Sequence, residues 1–216
     1  MKNTLLYLSV ISLISCTSID SSRIAPGYTQ AFSSIKNIFF GYEDNIDIRV
    51  INKIPYASML VRIGKGPPAL MILESVSNNN YTWVSADGIY LVTNKGRIIQ
   101  TSGLPNNLKD EISSFEGWDK EIYSDLEFYS YLTFDKPVLN NLRISSKYKK
   151  EDKQSINLAS GSKYLYLVEQ TISSPDIAWL EKNKFWVDEL NYSWKSKQYI
   201  SPKLPPIYLE VTKKPR

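Results

Sequence analysis

The sequence predicts a mainly β domain: an antiparallel curled sheet or barrel-like sandwich with one N-terminal helix. Three observations carry this. Aromatic residues are dense, with 15 Tyr, 5 Trp and 7 Phe in 216 residues, and aromatics suit a pleated, half-buried surface. Short apolar runs alternate with polar residues at period two over much of the chain, and clusters of Gly, Pro, Asn and Asp separate them. Two such runs flank Asp87-Gly88, a dipeptide that turns one strand into the next.

The first 15 residues stand apart from that domain. Lys2 gives a positive start, Leu5 to Ile14 is a short apolar stretch, and Ser15 is a small residue before a cut. This is a secretory signal, too short to span a bilayer as a helix. Leu13-Ile14-Ser15-Cys16 reads as a lipobox around the chain's sole cysteine. It resembles bacterial lipoprotein signals, which implies cleavage before Cys16, a diacylglycerol on its thiol and a lipid anchor in a membrane. Thr17 stands where an aspartate retains enteric-type lipoproteins at the inner membrane. The same resemblance therefore implies the outer membrane, on its periplasmic side.

Cleavage would leave 201 residues and, with Lys2 gone, lower the formal charge from +4 to +3. That charge is too mild to argue for nucleic acid. One cysteine makes no intramolecular disulfide. Residues 16–25 are short and mostly polar, a tether, and 26–216 read as a single β-rich domain.

Ala25-Pro26 opens the predicted helix, from about Tyr28 to Phe40. Tyr28, Phe32, Ile35 and Phe39 recur at spacings of 4, 3 and 4, one apolar face. Pro26 suits a helix start and Gly41 a stop. The opposite face holds Ser, Gln and Asn with one Lys, which fits a helix laid across a sheet; a helix on a membrane surface is the alternative.

From Ile46 the period becomes two. Ile46, Ile48 and Val50 predict a strand that Pro55 ends. Ala57 to Ile63 and Ala69 to Leu73 are the next two, across the turn Gly64-Lys65-Gly66-Pro67-Pro68. Tyr81 to Thr93 folds as a hairpin about Asp87-Gly88, with both central residues at positive φ. Asn94-Lys95-Gly96 turns the chain into a strand from Arg97 to Thr101. Glu121 to Phe134 and Val138 to Tyr148 are strand-like. Lys147 to Lys153 (KYKKEDK) reads as a solvated hairpin tip. Lys163 to Ile172 is a long strand, buried on both faces or part of a barrel, and Pro175 to Leu180 is irregular. Phe185 to Asp188 and Tyr192 to Tyr199 form a second hairpin across Glu189-Leu190-Asn191. Pro202, Pro205 and Pro206 keep the next loop out of any sheet, and Ile207 to Val211 closes the chain as an edge strand.

Several blocks carry a resemblance. Trp83-x-Ser85-Ala86-Asp87-Gly88 is followed by Gly96-Arg97-Ile98-Ile99-x-Thr101-x-Gly103-Leu104. Near the end come Phe185-Trp186-Val187-Asp188, Trp194-x-Ser196-x-Gln198 and Pro202-x-Leu204-Pro205-Pro206. Upstream stand Pro55-Tyr56-Ala57-Ser58 and Val61-Arg62-x-Gly64. In this order they resemble the YjbF/GfcB family of capsule and exopolysaccharide lipoproteins, from the lipobox to Pro206. The middle, about Asn106 to Ser160, matches loosely. The resemblance implies a role in polysaccharide biogenesis or export.

Histidine is absent, which removes Ser-His-Asp and Cys-His nucleophilic machinery and the usual zinc and copper sites. No phosphate-binding glycine motif occurs, and no cofactor or metal is implied. Paired carboxylates, as in glycoside hydrolysis, remain, with Asp87, Glu169 and Asp188 as candidates. Each has a structural alternative: Asp87 and Asp188 as turn residues, Glu169 as an ion-pair partner of Arg97 or Arg62.

Three functions follow: a non-enzymatic export lipoprotein whose partners are polysaccharide or other export-pathway proteins, a polysaccharide-modifying enzyme, or a carrier of lipid or lipoprotein. Trp83, Asp87, Arg97, Trp186, Asp188, Trp194 and Gln198 all lie in the matched blocks. Either some line one binding surface, with Arg97 and Gln198 hydrogen-bonding a polar partner beside a flat Trp platform, or they hold the two hairpins together.

Overall fold

The structure, a computed structural model, describes residues 48–115 and 127–215. The signal, Cys16, the tether and the helix expected at about 28–40 lie outside the described residues. Twelve strands of one antiparallel sheet follow a short helix, α1 (Ile48–Lys53). They are β1 (Ser58–Ile63), β2 (Ala69–Ser77), β3 (Asn80–Ser85), β4 (Tyr90–Asn94), β5 (Arg97–Ser102) and β6 (Leu108–Ser113). The second half holds β7 (Glu127–Asp135), β8 (Val138–Leu158), β9 (Gly161–Ser174), β10 (Trp179–Val187), β11 (Ser193–Gln198) and β12 (Ile207–Lys213).

The strand order is β5-β4-β3-β2-β1-β12-β11-β10-β9-β8-β7-β6. Every neighbour is also a chain neighbour, except that β1 pairs with β12. The sheet is therefore an up-and-down meander wrapped into a nearly closed barrel, open between the consecutive strands β5 and β6. Closure is what a long sheet uses to remove its edges. The last strand is thus not the edge that its position in sequence predicts: β12 lies between β1 and β11. Met59 opposes Val211 on one side of it and Lys195 opposes Glu210 on the other.

The interior is filled by side chains. Met59, Met71, Trp83 and Leu91 from the first half meet Phe134, Ile144, Ile172 and Trp179 from the second, all buried. A second cluster joins Leu70, Ile72 and Val84, at the alternate positions of β2 and β3, to Ile54 just after α1. Both faces of these strands are therefore apolar.

Four further expectations need correction. The run at Ile46 to Val50 is not a strand: from Ile48 it enters α1. Ile48, Ile51 and Ile54 are also three apart, so the same apolar residues fit a helical face. Ile51 and Ile54 are buried, and Ile54 N–H closes the last turn on the Ile51 carbonyl at 3.1 Å. Pro55 then stops it.

The Asp87-Gly88 turn has only Gly88 at positive φ (81°). Gly88 N–H bonds the Ser85 carbonyl at 3.1 Å and Ser85 N–H the Ile89 carbonyl at 3.0 Å. This is a three-residue loop with a bulge, not a two-residue one. Asp188 to Tyr192 repeats it, with Asn191 at φ 58° in the glycine's place. Asn78-Asn79 and Lys95-Gly96 are two-residue turns with both central residues at positive φ.

KYKKEDK is not a hairpin tip. It lies inside β8, where the register with β9 shifts between Lys150 and Lys153, and its lysines point to solvent. The β8–β9 hairpin instead turns at Ala159-Ser160, as a long arm. Lys153 pairs with Glu189, Lys163 lies 4.1 Å over the Trp194 ring, and Ala159 N–H donates to the Glu210 carboxylate of β12. Finally, the irregular stretch after Ser174 is only the 3-10 turn Pro175–Ile177, with Ala178 left-handed before β10.

Candidate functional site

Arg97 begins β5 at the open seam. Its guanidinium pairs with Glu111 of β6, and both side chains are nearly buried, 11% and 4% exposed. It also lies 4.9 Å over the Phe115 ring. Phe115 stacks on Tyr148 at 4.9 Å, and Phe128 meets Tyr148 edge-on at 5.5 Å. Burial pushes the Tyr148 hydroxyl above its usual pKa. The ion pair joins two strands that no backbone ladder joins.

Gln198 finishes this closure from the opposite wall. It sits on β11, yet its carbonyl accepts Ile98 N–H at 2.9 Å and its amide donates to the Gly96 carbonyl at 2.8 Å. It therefore caps the unpaired backbone of β5, where each unsatisfied buried group costs about 1–3 kcal/mol. Thr101 adds an acceptor for Leu108 N–H at 2.9 Å. Beyond it, the β5–β6 link is pinned by Asn107, which gives both backbone and side-chain N–H to Asp135. Those bonds hold the Asp135 carboxyl below the usual range.

Because Gln198 spans the walls, the β4–β5 turn is pressed against β11. A Cβ on Gly96 would overlap the Ser193 side chain, and Gly96 has φ 84°. Gly96→Ala is expected to cost about 2–3 kcal/mol, from left-handed strain and overpacking together. Denaturant unfolding checks this; an unchanged midpoint would refute the close approach.

The two hairpins thus meet, and a cavity of about 340 Å³ opens at that end of the barrel. Trp83 and Trp194 both line it, with Tyr81 and Tyr192. Trp83 Nε1 donates to Thr93 at 2.9 Å and Trp194 Nε1 to Asp188 at 2.8 Å. The indoles are therefore fixed in orientation. Asp188 also accepts the N–H groups of Leu190 and Tyr192, both at 2.9 Å. It shapes the turn and holds Trp194.

The remaining sequence candidates lie elsewhere. Asp87 is exposed in the β3–β4 turn, takes a hydrogen bond from Ser85, and lines a separate cavity of about 260 Å³ at the opposite end. Trp186 lies on β10 between Leu167 and Lys195 of the flanking strands, and its buried indole N–H has no hydrogen-bond partner among the described residues. Glu169 pairs with Lys184 at 2.9 Å, not with Arg97 or Arg62, and that contact holds its carboxyl below the usual range. Arg97 and Gln198 share a small cavity of about 40 Å³ in the barrel.

Among the described residues no group of acids or cysteine forms a metal site, and no helix is long and apolar enough to cross a membrane.

Sequence reasoning missed Glu111, Tyr81 and Tyr192. The two tyrosines had a readable signal. Tyr81-Thr82-Trp83 and Tyr192-Ser193-Trp194 are both Tyr-x-Trp, and residues two apart on a strand share a face.

Comparisons with known proteins agree with this architecture. A family model described as "Group 4 capsule polysaccharide lipoprotein gfcB, YjbF" matches residues 32–212. The lipoprotein GfcB of Escherichia coli (strain K12) is 25% identical over 201 residues, covering 87% of this chain and 86% of that protein. The lipoprotein YjbF of the same strain is 20% identical over 177 residues, covering 76% and 78%. The crystal structure of the lipoprotein YmcC from Escherichia coli (K12) superposes with a TM-score of 0.75 at 20% identity, covering 89% of this chain and 97% of that one, and so shares the fold. A match that runs through nearly every strand of the barrel shows that the chain belongs to the YjbF family of group 4 capsule polysaccharide lipoproteins.

Proposed function

We propose that this chain is a non-enzymatic, lipid-anchored part of capsule or exopolysaccharide biogenesis or export, held at the outer membrane on the periplasmic side. The observation that carries the reading is the family match over residues 32–212. The lipobox at Cys16 supports the anchor. Its role is to bind polymer or to scaffold other export proteins.

The placement of the three candidate acids supports a non-catalytic role. Glycoside hydrolysis needs two carboxyl groups flanking one bond, about 5–10 Å apart. Asp87 and Asp188 sit in turns at opposite ends of the barrel, and Glu169 is engaged by Lys184 along β9. Among the described residues, the cavities of about 340, 260 and 40 Å³ are lined by at most one of them, Asp87. The packed interior also leaves little room for a carried lipid within the barrel itself.

The test is genetic. Loss of the gene is expected to stop surface polymer, while Asp87→Asn, Glu169→Gln and Asp188→Asn each restore it. A variant of these that folds and stays anchored, yet fails to restore polymer, would make that carboxylate chemical and defeat the proposal.

A further inference from the structure

The cavity between the two Tyr-x-Trp pairs lies beside the contact of Gly96 with Ser193, both of which line it. Its volume, about 340 Å³, lies in the range of roughly 300–1,000 Å³ typical of small-molecule sites. Tyr81 and Trp83 lie 6.4 Å apart and tilted by 33° on β3; Tyr192 and Trp194 meet at 5.3 Å and 73° at the start of β11. Both indole N–H groups are already bonded within the protein; Trp83 is buried and Lys163 covers one face of Trp194, so the ring surface offered to a ligand is chiefly the other face of half-buried Trp194. Burial raises the Tyr192 hydroxyl above its usual pKa.

The charge of the lining has one sign. Lys95, Lys195 and Lys214 line the cavity and no carboxylate does, among the described residues. Lys195 is held at 3.0 Å by Glu210, which lies outside the lining. Lys214 is exposed and lies 4.3 Å over the Tyr192 ring. Asn79 and Asn191, both in turns, add polar groups at the rim. A sugar ring has apolar C–H faces that stack on aromatic rings and a hydroxyl perimeter that hydrogen-bonds; lysines add attraction for an anionic substituent.

We propose that this cavity binds one anionic sugar unit, of the uronic-acid class, within or at the end of an acidic polysaccharide. The proposal rests on the capsule reading for the class of polymer, and on the lining for the charge and ring character of the unit.

The test uses the full acylated chain in zwitterionic detergent, titrated calorimetrically with trigalacturonic acid and with maltotriose. The acidic trimer is expected to bind at least about tenfold more tightly, and its affinity to fall as salt is raised. Trp194→Ala should weaken it at least about tenfold. Lys95→Asn combined with Lys214→Ser does the same without touching the core, and Asn suits the positive φ at position 95. Three results overturn the site: no binding of either trimer, equal binding of both, or acidic binding that the lysine variant leaves intact. Binding of a fluorescent fatty acid that Trp194→Ala abolishes, with no saccharide bound, assigns the cavity to an acyl chain and overturns it too. If saccharide binding fails while gene loss still stops surface polymer, the site falls and the proposed function stands; if gene loss leaves polymer unchanged, the function itself falls.

Discussion

Arg97→Ala is expected to destabilise the domain by about 3–5 kcal/mol, the cost of removing one partner from a buried ion pair. The substitution leaves the Glu111 carboxylate, 4% exposed, without its cation. It also strips the face of Phe115 and opens the seam between β5 and β6, where side chains replace a ladder. A loss of that size is a large share of the 5–15 kcal/mol that holds a typical domain, so thermal or urea unfolding should show it plainly.

A double variant sharpens the prediction. Arg97→Met with Glu111→Leu removes both charges and keeps apolar volume, and should recover most of the loss. The binding-surface reading of Arg97 expects a nearly unchanged melting temperature and abolished polymer export. The geometry expects the opposite order of effects: instability first, and export lost only as folding is lost. If Arg97→Ala melts like the parent, the buried pair contributes nothing and the surface reading gains.

Cys16→Ser should remove the anchor. Each buried CH₂ of an acyl chain contributes about 0.8 kcal/mol; one chain binds only reversibly, whereas two anchor stably. Serine cannot take the thioether lipid, so the chain should accumulate as uncleaved precursor or appear outside the membrane fraction. Fractionation of the parent and the variant checks this, and density separation of the membranes checks the outer-membrane assignment. A Cys16→Ser chain that still sediments with outer membrane would refute the lipobox reading. Because the twelve strands run from Ser58 to Lys213, the released chain should melt as the parent does.

Much of the fold was legible in the sequence. The period-two runs marked nearly every strand in the second half of the domain, and the turn residues placed the two hairpins that later prove to face one another. Errors fell where a local pattern admits two answers. Ile48 to Ile54 is too short to separate period two from period three, and burial of Ile51 decided for the helix. KYKKEDK looked like a tip because charged runs prefer solvent; an outward-facing strand with a bulge meets the same preference. Ile207 to Val211 looked like an edge because it is the last strand in the sequence, and only pairing with β1, some 150 residues away in sequence, makes it central.

The sequence alone determined the β class and the family, because these are local patterns or ordered short blocks; the export signal and the lipid site at Cys16 are expectations read from the same kind of pattern. It also placed Trp83, Arg97, Trp194 and Gln198 on the hairpins that matter. Only the tertiary structure decided what they do there. Gln198 is an unremarkable strand residue until the wrapping of the sheet brings β5 within its reach, and then it is the cap of an open edge. Arg97 could have faced solvent until Glu111, 14 residues on, met it across the seam. The two Tyr-x-Trp pairs, more than a hundred residues apart, become one cavity through the same closure. Strand period is set by the backbone of each segment, but which segments touch is set by closing the sheet, and that depends on contacts no local pattern encodes.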